Sequence, residues 1–459
     1  MNKLATILLS SILTLSLTAQ IWEDNLLKTN SNPTASEKFE TFENYRASHP
    51  YSKGNGYKPY AREMDFITER TTENSTFNPN TLYIEWKKEK EKYAHSKINS
   101  AANWIAKGPI NTPIILSNNK KRGNGRVNCI AFDPIDANII WIGSPAGGLW
   151  KSIDGGSNWT TNTDNLPVIG VSHIAVDPNN NQIMYIVTGD ADATDTYSIG
   201  ILKSIDGGTT WNTTGLSYTV DQEKTVNKVI INPNFTDSLY AVTNSNILIS
   251  TDAGANWATT GSLGRWRDIE FKPNNPSVVY AAKQSSGGSN IYRTTDGGAN
   301  WSVINNGVAT SGKYRPLIAV TPNNPNVIYA LYSASDHGFH GLYKSSDAGD
   351  NWVLQSNSPN ILGRETDGSG SGGQSWYDLS LGVATNNENL VYVGGINIWR
   401  SDNSGVIWDI DANSGSGSNY SYMHVDQHAF EFNPHTHVAY AGNDGGFYKY
   451  MDNLNKWVD

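Results

Sequence analysis

The sequence predicts an all-β fold: a seven-bladed β-propeller of four-stranded blades, preceded by an N-terminal leader that is partly helical or irregular. Three observations carry this expectation. An eight-residue box recurs seven times between Ser152 and Trp457, with a hydroxyl residue first, Asp two later, Gly two after that and Trp three further on. Successive boxes start 52, 46, 44, 51, 56 and 49 residues apart, the size of one propeller blade. Two alternating, strand-like runs separated by a turn precede each box.

Taken in chain order, residues 1–19 come first, with one cation at Lys3, an apolar run from Leu4 to Leu17 and a small residue at Ala19. That pattern is a secretory signal, because the run is short for a membrane span and ends in a cleavage-like Leu17-Thr18-Ala19. No later stretch is apolar enough to cross a bilayer, so the expected location is secreted or cell surface. Residues 20–102 are polar and box-free. Asn78-Pro79 marks a helix start there, with Leu82, Trp86 and Tyr93 as a candidate apolar stripe, and the segment is read as a leader or cover. The propeller is expected over 103–459.

Five boxes are intact: SIDGGSNW from Ser152, SIDGGTTW from Ser204, STDAGANW from Ser250, TTDGGANW from Thr294 and SSDAGDNW from Ser345. Two are worn, with Asn403 in place of the Asp and Leu454 in place of the Gly. In each, the Asp carboxylate is expected to accept backbone N–H bonds in a tight turn, the Gly to take φ > 0, and the Trp to glue neighbouring sheets. The first runs, such as RVNCIAFDP and HAFEFNP, become strands A. Runs such as NIIWIG and HVAYAG become strands B, a third strand C enters the box, and D opens at the Trp. The chain ends two residues after the last Trp, so NWIAKGP from Asn103 is expected to close the ring, with Trp104 to Lys107 paired to the last blade.

The pattern resembles the Asp-box (BNR) repeat, over roughly Trp104 to Trp457. The GRVN entry, the TGDADATDTYS loop and the HVDQH strand resemble secreted bacterial sortilin-type and xyloglucanase-like propellers. The resemblance implies the propeller fold and an extracellular polysaccharide or peptide ligand. Departures count as well. Tyr314-Arg315-Pro316-Leu317 lacks the Ile of the sialidase F/Y-R-I-P motif, and xyloglucanases place their carboxylates between two propellers whereas this sequence encodes one.

Net charge is -9 without a Lys/Arg stripe, which excludes phosphate-backbone recognition as a function class. The single Cys129 cannot form an internal disulfide and reads as a small core residue.

The boxes lie on C-to-D turns, so function belongs on the opposite rim, where A strands begin. Alternation points two residues of each A strand inward: Arg126 and Asn128, Gly170 and Ser172, Thr225 and Asn227, Arg265 and Arg267, Tyr314 and Pro316, Tyr377 and Leu379, Asp426 and His428. Loops on that rim add Asp190, Asp192, Asp195, Asp336, His337, His340, Trp376 and Asp444. The candidate ligand-binding set is Arg126, Asp190, Asp192, Arg267, Arg315, His337, Trp376, Tyr377, His424 and His428. Asp378, Asp426 and Asp444 are candidate catalytic carboxyls, since glycoside hydrolysis needs a pair roughly 5–9.5 Å apart. His424, Asp426 and His428 share one face of a strand but span about 13 Å, too far for one ion. No cofactor or metal ligand is assigned, although the Asp190, Asp192, Asp195 loop has part of a calcium loop's ligand density. The expected activity is recognition of polysaccharide or peptide at the channel mouth, the alternative a glycoside hydrolase.

Overall fold

Seven sheets follow one another along residues 129–458 in the computed structural model, each with antiparallel strands ordered A-B-C-D along the chain, the sixth extended by a short parallel strand, Ser421–Tyr422. The A strands are Cys129–Phe132, Val171–Val176, Val226–Ile231, Arg265–Phe271, Pro316–Val320, Ser380–Ala384 and Gln427–Phe432. Each packs against the A strand of the next blade, and that of blade 7 against that of blade 1. The ring is a seven-bladed propeller. The structure describes residues 21–459 apart from 31, 52–56, 73, 77, 79, 94–113, 116–119, 122, 195, 287 and 416–419. The chain divides into two compact units, Met1–Lys97 and Ile98–Asp459.

Among its described residues the first unit contains four helices: α1 (Ile21–Thr29), α2 (Ala35–Ser48), α3 (Tyr57–Thr68) and α4 (Asn80–Tyr93). Thr34 and Glu37 form a capping box at the start of α2, which satisfies two otherwise orphan N–H groups. Trp22, Phe42 and Tyr60 are its buried aromatic centre, with Phe42 and Tyr60 stacked at 3.6 Å. The sequence signals at Asn78-Pro79 located α4 alone of the four.

Every intact box folds as its residue types require. In the first, Ser152 Oγ donates to Asp154 Oδ1 at 2.8 Å and accepts from Gly156 N at 2.9 Å, while Asp154 Oδ1 accepts from Asn158 N at 2.8 Å. These bonds hold the Asp154 carboxyl down at about 2, with the Asn158 side chain the largest cause. The box glycines take φ of 84 to 97°, Gly405 and Gly156 at the two ends of that range. Asn403 keeps the pattern through its amide oxygen, which accepts from Ser401 Oγ and Ile407 N at 2.9 Å each. The box tryptophans are unequal: Trp352, Trp408 and Trp457 are buried, whereas Trp159, Trp211, Trp257 and Trp301 are half-buried. In the last blade, where the box lacks its Gly, Trp457 Nε1 donates instead to Asp411 Oδ2 at 2.6 Å.

One expectation about the ring falls outside the described residues and another changes. The seventh blade carries a short D strand of its own, Lys456–Val458, paired with Gly446–Met451, and the segment expected to close it, Trp104 to Lys107, lies outside the described residues. Closure by side chains is visible: Val127, Ile130, Ile140 and Ile142 of blade 1 pack on Ala429 and Tyr440 of blade 7. Strict alternation also fails. The A strands of blades 2, 3, 4 and 7 each shift register, between Val171 and His173, Val226 and Lys228, Trp266 and Asp268, and Gln427 and Ala429. A bulge leaves one residue out of the ladder and re-aims it. The residues left out are Ser172, Asn227, Arg267 and His428.

Candidate functional site

Those four bulged residues line the central channel, together with Asn128 of blade 1 and Leu379 of blade 6, in a cavity of about 280 Å³. Six of the seven positions expected six residues before the turn therefore face the channel. In blade 5 it is Arg315, one residue before Pro316, that does so. A and C strands run the same way, so this mouth lies at the end of each blade away from the boxes.

The blade-2 loop supplies the anions of the mouth. Asp190 Oδ2 accepts from Arg126 Nη2 at 2.5 Å, and its Oδ1 from Asn128 Nδ2 at 3.3 Å. Asp192 Oδ1 accepts from Arg315 Nη2 at 2.8 Å, and its Oδ2 lies 3.0 Å from His428 Nδ1. Burial works to raise the Asp192 carboxyl, but Arg315 and His428 outweigh it and hold it well below the usual range. His428 Nε2 lies 3.1 Å from Asp444 Oδ1. Burial opposes its charge, yet with Asp192 and Asp444 on its two nitrogens the imidazole is pushed up to about 9 and stands as the cation at neutral pH.

Tyr377 completes the network. Its hydroxyl donates to Asp444 at 2.8 Å and accepts from Arg126 Nη1 at 3.0 Å, and its ring meets His428 edge-on at 4.7 Å. Arg315 Nη1 donates to the carbonyls of Ser375, Trp376 and Tyr377, which ties the long blade-6 loop to blade 5. Trp376 beside it is 50% exposed.

The three candidate carboxyls fall together but in different states. Asp444 is held low, burial being outweighed by His428 and Tyr377. Asp378 is fully buried beside Asp426, and burial with the charge of Asp426 pushes it up to about 8. Asp426 is raised by burial and by Asp444. It is partly exposed, receives Gln374 Nε2 at 3.0 Å and holds φ of 66°, a left-handed backbone that costs a non-Gly residue about 1–3 kcal/mol.

Other candidates lie elsewhere. His337 packs on Tyr314 at 5.3 Å with its Nδ1 unpartnered, and His424 turns its Nδ1 to the Val425 carbonyl and covers Gly445. The shared face expected for His424, Asp426 and His428 does not form, because the strand begins at Gln427. Among the described residues no three His, Cys, Asp or Glu side chains are disposed to hold a metal ion. Asp190 and Asp192 face arginines, and Asp195 lies outside the described residues. Cys129 is buried, and burial pushes its thiol upward.

A deeper layer was missed because alternation could not foresee the bulges. His173, Lys228 and Asp268 follow the bulged residues directly and also line the channel, with Glu270 and Glu431 beyond. Lys228 Nζ bridges Asp268 at 2.8 Å and Glu270 at 2.5 Å. Glu431 is deep in the channel yet open to its space, and burial with the charge of Glu270 pushes it up to about 7 against the pull of Lys228. The irregular spacing of acidic and basic residues along VNKVII, RDIEF and HAFEF was the available signal.

No model of a known protein family matches the chain. A xyloglucanase of Paenibacillus sp. is 27% identical over 153 residues, which is 31% of this chain and 15% of that protein. Among solved structures, the GH74 xyloglucanase of Xanthomonas campestris aligns with a TM-score of 0.55 at 15% identity over 73% of this chain and 54% of its own. The GH74 enzyme of Niastella koreensis aligns with a TM-score of 0.53 at 20% identity over 73% and 54%. This chain thus spans about half the length of those solved relatives and a small part of the curated one. It is a seven-bladed propeller, structurally similar to about half of each of those GH74 chains.

Proposed function

We propose that this chain is a secreted Asp-box propeller that binds an extracellular polysaccharide across the channel mouth. The observation that carries this reading is the pairing of an exposed indole, Trp376, with a floor of mutually bonded groups, Arg126, Asp190, Asp192, Arg315, Tyr377, His428 and Asp444. An aromatic face with a few fixed polar groups suits a sugar ring, whose apolar face stacks while its hydroxyls bond. The floor comes from blades 1, 2, 5, 6 and 7, so it is pre-formed and loses little entropy on binding. Sequence likeness to a protein named a xyloglucanase supports a polysaccharide over a peptide.

Hydrolysis is the second reading, favoured by one observation: Asp378, pushed up to about 8, lies against Asp426. A carboxyl held protonated at neutral pH beside a second carboxyl is what a general acid and its partner require. Asp378 is sealed from solvent, so Asp426 would have to face the glycosidic oxygen. A glycan array with a reducing-end assay, on the wild type and Asp426→Asn, separates the readings. Binding without turnover, kept in the variant, supports recognition. Turnover lost in the variant establishes hydrolysis, and an array bound by nothing while an extended peptide binds would overturn both.

A further inference from the structure

Arg267 is a buried cation with no anion of its own. Its side chain lines the channel cavity and the residue is 8% exposed. Nε donates to Gln284 Oε1 at 2.7 Å and Nη1 reaches the Ala191 carbonyl at 3.5 Å, both neutral acceptors. Arg265, two residues earlier, donates from Nε to Asn244 Oδ1 at 3.3 Å. Among the described residues no carboxylate forms an ion pair with either. The nearby acid, Asp192, is already taken by Arg315 and His428. Burial first, then the charges of Arg315 and Arg265, lower the affinity of Arg267 for its proton, as in a site short of negative charge.

A buried guanidinium is normally paired, since desolvating it alone is costly. Two other arginines of this mouth obey that rule: Arg126 has Asp190 and Arg315 has Asp192. We infer that Arg267, with Arg265 beside it, binds a carboxylate carried by the ligand, so that the polysaccharide taken at this mouth contains an acidic sugar, a uronic acid. This rests on the polysaccharide reading above and narrows it. The forked donors of arginine match a carboxylate's two oxygens, and the exposed Trp376 on the same rim favours a sugar ring as the carrier. The overall charge of -9 does not oppose this, because at about 0.1 M salt exposed charges are screened beyond ~10 Å.

Calorimetry of the whole chain with three matched probes tests the inference: a trigalacturonate, its fully methyl-esterified form and a neutral cellotriose. The acid is expected to bind at least about tenfold tighter than its ester, the scale of one charge-assisted bond, and Arg267→Gln is expected to abolish that preference. Comparing acid and ester on the wild type needs no variant, so a misfolded Arg267→Gln leaves the test intact, and Arg265→Gln provides a second. Equal binding of acid and ester would overturn the inference and spare the polysaccharide reading. Failure of all three probes beside binding of a peptide with a free C-terminal carboxylate would overturn both.

Discussion

Asp192, in the loop of blade 2, lies 3.0 Å from His428, 236 residues later in blade 7, and 2.8 Å from Arg315 in blade 5. One carboxylate thus ties three blades across the mouth, and each of its oxygens has a different cationic partner. Removing it leaves Arg315 buried without its anion and His428 with Asp444 alone.

Asp192→Asn should therefore destabilise the fold by about 3–5 kcal/mol, the usual cost of breaking a buried pair from one side. Urea unfolding of wild type and variant at pH 7 measures it. A loss below about 1 kcal/mol would mean that the mouth is held by other contacts.

His428 gives a pH dependence with a definite sign. Its folded value of about 9 exceeds the ordinary 6.5, so its stabilisation is complete below pH 6.5 and disappears as pH rises through about 9. The groups facing it are Asp192, Asp444 and Tyr377. The urea midpoint of the wild type should fall between pH 6.5 and 9, and that of His428→Gln should fall less over the same window.

Asp378 carries the same sign, although it is an acid. A carboxyl raised from 3.8 to about 8 favours the folded state most at low pH, and that contribution is lost as pH climbs from about 4 to 8. Asp378→Asn carries a permanently neutral group of the same shape. Relative to wild type it should gain more than about 1 kcal/mol between pH 4 and pH 8, since a tenfold difference in proton affinity between folded and unfolded chain corresponds to about 1.4 kcal/mol. Chemical denaturation at the two pH values reads the difference, and a gap that does not widen would place the ionised carboxylate in the native state.

Trp352 should matter more to stability than Trp211, although both occupy the same place in the box. Trp352 is 4% exposed, donates from Nε1 to the Ile304 carbonyl at 2.6 Å and packs in an interblade core. Its replacement by Ala should cost about 3–5 kcal/mol. Trp211 is half-buried with an unpartnered Nε1, so its truncation should cost distinctly less in parallel melts.

Trp376→Ala should leave stability within about 0.5 kcal/mol, as for other exposed positions, and weaken glycan binding about tenfold through the lost stacking surface. Calorimetry beside a thermal melt checks both halves. Unchanged affinity would remove Trp376 from the binding surface.

The repeat was legible because its chemistry is local. Ser152, Asp154, Gly156 and Trp159 make their turn from bonds spanning a few residues, so spacing alone reveals the blade, its period and the rim that carries no box. The same regularity let counting back from the turn proline find Asn128, Ser172, Asn227, Arg267 and His428 at the channel. It overlooked Lys228, Asp268 and His173, because a bulge changes which side chains face inward without leaving a local mark. It also gave Asp426 to a strand that starts one residue later.

What the amino-acid sequence determined by itself was therefore the sevenfold blade and the end of it where chemistry can gather. Only the tertiary structure decided which charges meet: Arg126 with Asp190, Arg315 with Asp192, and Arg267 with no carboxylate among the described residues. The physical reason is range. A turn is fixed by neighbours along the chain, whereas ionisation and pairing in the channel depend on burial and on charges contributed by blades up to 236 residues apart.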